Sequence, residues 1–159
     1  MNTSEKCRLH WDYGGLTPPV FFLIAILGMA LLHVCIPVSN LIVPEVQFLG
    51  ILPLMLGLLL NLVADRAFKK ARAPVHPNAE TTLLLQIGVF AVTRNPMYLG
   101  MTLILLGIAM MLGSIVPFVV PLVFILLIRS RFIQPEEQKL RRIFGQEWDN
   151  YARRVRRWL

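Results

Sequence analysis

Of the 159 residues, 56% are hydrophobic and only 16% charged, with a formal net charge of +7. Soluble domains hold about 45–50% apolar and about 25% charged residues, so the composition argues against a water-soluble core and leaves room for about four membrane spans of roughly 20 residues. Two cysteines and three histidines, scattered without ligand spacing, argue against a disulfide framework and against a metal centre.

The N-terminal stretch is polar and carries Lys6, Cys7, Arg8 and His10. The first apolar run, about 20–38, follows Pro18-Pro19. It is longer than a signal-peptide core, and its exit Ile36-Pro37-Val38-Ser39 lacks a small-x-small cleavage site, so it reads as a retained span. A second span, about 46–64, lies between Pro44 and Asp65-Arg66. The third apolar stretch, 97–128, is too long for one crossing. Gly113-Ser114, Pro117 and Pro121 within it predict a hairpin of two short or tilted helices, about 97–112 and 117–130. The expected fold is an all-α integral membrane protein, a single membrane domain over 1–159, with about four transmembrane helices and a C-terminal amphipathic helix.

Two of the sixteen lysines and arginines precede span one, five lie between spans two and three, and nine follow the hairpin. The loops at 39–45 and 113–117 carry none. The positive-inside rule then places both termini and the long middle stretch in the cytoplasm. Read as a topology signal, the charge is no argument for a nucleic-acid partner.

The middle stretch, between Ala64 and Met97, exceeds thirty residues and includes an apolar piece, Leu83 to Val92, too short to span. It is expected to be interfacial or re-entrant, covered by protein or lining a cavity. Thr93-Arg94-Asn95-Pro96-Met97-Tyr98-Leu99-Gly100 follows. Proline suits the first turn of a helix, which makes Asn95 a candidate N-cap, beside a snorkelling arginine and an interfacial tyrosine. Pro135-Glu136-Glu137 reads as another helix start, with acids favourably placed against the helix dipole. Leu140, Phe144, Trp148, Tyr151, Val155 and Trp158 then recur at spacings of three and four among arginines. That pattern predicts an amphipathic helix, bent at Gly145, lying on the cytoplasmic membrane surface with its basic residues on anionic headgroups.

Taken in order, Gly88-Val89-Phe90, Arg94-Asn95-Pro96-Met97-Tyr98-Leu99-Gly100, a helical hairpin, Glu136-Glu137, Leu140, Phe144-Gly145 and Tyr151 resemble the isoprenylcysteine carboxyl methyltransferase and phospholipid methyltransferase family of membrane enzymes. The resemblance covers about 66–158. It implies an S-adenosylmethionine-dependent methyltransferase whose cofactor region spans 81–159, with Thr82, Leu83, Leu84, Leu85, Phe90, Asn95, Pro96, Met97, Tyr98 and Glu136 around the cofactor. It implies Arg94, Tyr98 and Glu137 as catalytic residues, and Arg131 and Phe132 toward the substrate. Eukaryotic members carry His at the position of Asn95, and an amide cannot titrate near neutrality, so no general base is expected there. The family often has an arginine where Phe132 stands; Arg131 is its neighbour. The acceptor is expected to be lipophilic: an isoprenoid or prenyl-cysteine-like carboxylate, or a phospholipid amine. Membrane lipids are the other expected partners, and a bacterial or archaeal inner membrane the expected location. Two other functions share these features: a nicotinamide-dependent sterol-type reductase, with a similar Arg-x-Pro-x-Tyr segment, and a non-catalytic membrane scaffold.

Overall fold

Pro18, Pro44 and Pro96 each open a helix of the computed structural model, which describes residues 17–36, 43–72 and 84–158. Proline lacks the N–H that the first turn leaves unpaired anyway, and its fixed φ suits a helix start. The helices are α1 (Pro18–Cys35), α2 (Pro44–Leu49), α3 (Ile51–Arg72), α4 (Pro96–Leu112), α5 (Val119–Ile128), α6 (Gln134–Phe144) and α7 (Gln146–Arg154). Short 3-10 turns at Gly88–Ala91 and Val116–Phe118 precede α4 and α5, and a π-helical turn, Arg129–Ile133, joins α5 to α6. Among the described residues the extended pairing is a single parallel bridge between Thr93 and Arg156.

Among the described residues, three helical runs are long and apolar enough to cross a membrane: Pro18–Cys35, Val46–Ala71 and Val116–Phe144. The fourth expected crossing, α4, is apolar but shorter, with 17 residues. The all-α membrane architecture and the hairpin thus stand as expected. Two helices run past the expected spans: α3 continues beyond Ala64 to Arg72, with Asp65 and Lys69 paired at 2.7 Å one helical turn apart. Beyond 130 the chain likewise stays helical into α6. Pro135, which cannot donate to the helical ladder, follows the π turn, where the hydrogen-bond register has already changed.

The tightest contact is between α3 and α4. Gly50, in the turn between α2 and α3, and Gly57 on α3 face Gly107 and Gly100 on α4, an antiparallel pairing repeated after seven residues. A Cβ at Gly57 would lie 2.5 Å from the Gly100 carbonyl oxygen, and one at Gly107 would lie 2.6 Å from that of Gly50. Small residues let helix backbones approach this closely where lipid supplies no hydrophobic drive. Asn61 donates to the Gly57 carbonyl at 3.0 Å, so its amide is satisfied within the same seam. Beside α4, α5 and α1 complete the packing through Met29, Leu105, Ala109, Phe124, Ile128, Phe132 and Ile133, all buried. At the hairpin turn Gly113 adopts φ +73, a left-handed conformation natural to glycine. The buried Ser114 hydroxyl beside it lies 2.9 Å from His33 Nδ1, tying the end of α1 to the turn. Leu27, Val34, Leu52, Leu59 and Leu126 point outward and exposed, as lipid-facing positions would.

Candidate functional site

At the opposite end of the hairpin, two stretches far apart in sequence are laced together. The first runs from Leu84 to Tyr98 and enters α4; the second is α6, α7 and the segment after them. Leu84 and Leu85 lie outside any helix, and Gly88–Ala91 makes a 3-10 turn. The Arg94 amide donates to the Arg156 carbonyl at 3.0 Å. The Arg157 carbonyl accepts from Thr93 Oγ1 at 3.2 Å and from Asn95 Nδ2 at 3.0 Å. Asn95 therefore occupies the N-cap position without capping. Its backbone carbonyl accepts from the Leu99 amide, but its side chain turns to the C-terminal segment, and Thr93 Oγ1 accepts from the Asn95 N–H instead.

Beneath this lacing lies an ion network. Glu137 Oε1 accepts from Arg94 Nη1 at 3.1 Å and from Arg157 Nε at 3.0 Å, while Arg157 Nη2 grips Glu137 Oε2. The Arg94 and Glu137 side chains are each only 14% exposed. A charge so removed from water is tolerable only when paired and hydrogen-bonded. The hydrogen bonds to Glu137 push the Arg157 guanidinium up, against the opposing effect of burial. Arg94 also sits over the Trp148 ring, 5.6 Å from its centroid. Its Nε is buried and finds no acceptor among the described residues.

The neighbouring carboxylate has a different fate. Glu136 is half-buried, and the Tyr98 hydroxyl donates to its Oε2 at a long 3.5 Å. The chain thus brings Tyr98 and Glu136 together across the hairpin, and Arg94 and Glu137 beside them. Pro96 is buried at the α4 start, Met97 is exposed, and Phe90 is half-buried with its carbonyl bonded to Tyr151. Thr82 and Leu83 lie outside the described residues. The expected substrate pair is separated: Arg131 is exposed, whereas Phe132 is buried edge-on against Phe21, their centroids 5.4 Å apart. The π turn places Phe132 in the core.

The amphipathic stripe is also spent differently from the expectation. Trp148, Tyr151 and Val155 are buried against Leu84, Leu140 and Phe144, covering the stretch before α4 rather than facing lipid. The bend at Gly145 is observed, with φ +52. The Tyr151 hydroxyl donates to the Phe90 carbonyl at 2.7 Å, and burial pushes that phenol up to about 12 although the Arg94 charge draws it down. Arg157, Trp148, Tyr151 and Thr93 were not among the expected site residues. Spacing marks 148 and 151 as one apolar face, but nothing local indicates that a hydroxyl there reaches residue 90, or that a C-terminal arginine meets Glu137.

Comparison with known proteins bears on this arrangement. The family model described as phospholipid methyltransferase matches residues 46–147, a stretch from α2 into α7 that contains Tyr98, Glu136 and Glu137. Over 63 residues the chain is 41% identical to an uncharacterized protein of Haemophilus influenzae, an alignment covering 40% of this chain and 100% of that protein. No solved structure matches the chain.

Proposed function

The chain belongs to the phospholipid methyltransferase family, and on that premise we propose that it is an S-adenosylmethionine-dependent methyltransferase acting on a lipophilic acceptor at the cytoplasmic face of the membrane. The observation that carries the reading is Glu136: a half-buried carboxylate reached by a long hydrogen bond from Tyr98, beside a buried arginine with one unmatched donor. An acceptor carboxylate beside an unmatched guanidinium donor suits a ligand bearing both an ammonium and a carboxylate.

When bound, S-adenosylmethionine supplies a methyl group on a sulfonium, poised for in-line displacement by a nucleophilic oxygen or nitrogen. The residues of this chain bind and orient. Glu136 accepts hydrogen bonds from the amino group or ribose hydroxyls, and Arg94 Nε donates to the carboxylate. The Tyr98 and Phe90 rings face the adenine or the sulfonium. Leu84 and Leu85 contribute backbone groups, and Asn95, Pro96 and Met97 shape the α4 end of the site. Glu137, engaged by two guanidiniums, acts as a clamp rather than as an acid or base. The acceptor is either an anionic oxygen of an isoprenoid or prenyl-cysteine carboxylate, or the amine of a phospholipid headgroup. Arg131 is an exposed cation available to the first.

Calorimetry with S-adenosylhomocysteine on protein in detergent should show binding by the wild type and none by Glu136→Ala. Unchanged affinity in the variant would remove Glu136 from the site. Thermal protection by a nicotinamide cofactor and not by S-adenosylhomocysteine would install the reductase reading instead. Radiolabelled methyl transfer into vesicles containing either amine or carboxylate acceptors separates the two substrate classes.

A further inference from the structure

The family match ends at residue 147, ten residues before the arginine that makes the most contacts in the ion network. We propose that Arg157 is a positioning residue of the cofactor site: by closing both oxygens of Glu137, it fixes the turn of α6 from which Glu136 meets Tyr98. The inference rests on the methyltransferase reading above.

The need for such a device comes from the π turn. α6 is reached through a segment of altered hydrogen-bond register, so its rotation about its own axis is offset from the one an unbroken α5 ladder would set. Adjacent helical residues lie about 100° apart around the axis, so whatever fixes Glu137 also fixes Glu136. Arg94 makes one contact to Glu137, which leaves the carboxylate plane free to turn. Arg157 makes two, from Nε and Nη2 to different oxygens, and such a fork sets the plane as well as the distance. Arg157 is itself anchored to the other half of the site. Its carbonyl accepts from Thr93 and Asn95, and the Arg156 carbonyl before it accepts from the Arg94 amide. Those residues lead directly into the first turn of α4, which carries Tyr98. One residue is thus bonded to both elements whose meeting forms the site, by its main chain to one and its side chain to the other.

Replacing the side chain leaves the main-chain anchor intact, which makes the inference testable in the full-length protein. Arg157→Ala should weaken S-adenosylhomocysteine binding about tenfold or more, as loss of an orienting partner typically does. The Michaelis constant for the cofactor should rise by a larger factor than kcat falls. Arg157→Lys keeps the charge but cannot form the fork; it should melt close to wild type and still bind several-fold more weakly. Gly107→Ala, in the helix seam toward the hairpin turn, where an added Cβ would lie 2.6 Å from the Gly50 carbonyl oxygen, serves as a destabilised control that keeps wild-type affinity. Wild-type affinity in Arg157→Lys overturns the inference, even if Arg157→Ala does not fold. So does an affinity loss in Gly107→Ala that parallels its loss of stability. Failure of the wild type to bind S-adenosylhomocysteine overturns the methyltransferase reading, and this inference with it; wild-type binding unaffected by either Arg157 variant overturns this inference alone.

Discussion

Tyr151 is a buried phenol, held neutral by burial, whose hydroxyl donates to the Phe90 carbonyl. Phenylalanine there would leave that carbonyl unpaired, at a cost of about 1–3 kcal/mol, and Tyr151→Phe should melt several degrees lower at neutral pH. The alkaline limb gives a second readout. The folded-state pKa is raised to about 12 from 10 by burial, so this stabilisation is complete below pH 10 and lost as pH rises through 12. The wild-type melting temperature should therefore fall more steeply over that range than that of Tyr151→Phe; parallel curves would refute the account. At this scale the sequence is least legible. Glu136 and Glu137 are adjacent and alike, and what separates them is partners up to 38 residues away in Tyr98 and 43 residues away in Arg94. Asn95 has the look of a cap, but a more distant acceptor, the Arg157 carbonyl, takes its amide.

Among the elements, the α3–α4 seam makes the sharpest prediction. Alanine is ordinarily a better helix former than glycine by about 1 kcal/mol, so a glycine-to-alanine change in open surroundings should be neutral or stabilising. A Cβ added at Gly28 on α1 would meet nothing within 4 Å, whereas at Gly57 the neighbours include backbone atoms that cannot swing aside. Gly57→Ala should accordingly lower stability by about 1–3 kcal/mol through overpacking, and Gly28→Ala should not, as measured by thermal unfolding in detergent. Equal effects would mean the seam is looser than described. Helix existence and the hairpin turn were readable because Gly113, Pro117 and the long apolar run are local signals. The ends of α3 and of the α5–α6 run were not, because hydropathy marks where lipid stops and not where a helix stops. The π turn has no local signature beyond the proline that follows it.

For the whole molecule, the topology proposed from the charge distribution has the laced end in the cytoplasm and the Gly113 turn outside. In a background with Cys7 and Cys35 replaced, Ile115→Cys should react with a membrane-impermeant maleimide in intact cells, and Arg142→Cys only after permeabilisation; the reverse pattern would invert the proposed topology. The length of α4 then acquires a meaning. Its 17 residues extend about 25 Å, short of a hydrocarbon core of about 30 Å, so a turn placed at the outer boundary leaves Tyr98 below the headgroup level on the inner side. For the proposed reaction, a lipid acceptor can present its polar end at that depth without leaving its leaflet. Lifting it into water instead would cost about 0.8 kcal/mol for every methylene exposed. On the proposed topology and reaction, a helix short by a turn would let the membrane itself deliver the substrate, by lateral diffusion alone.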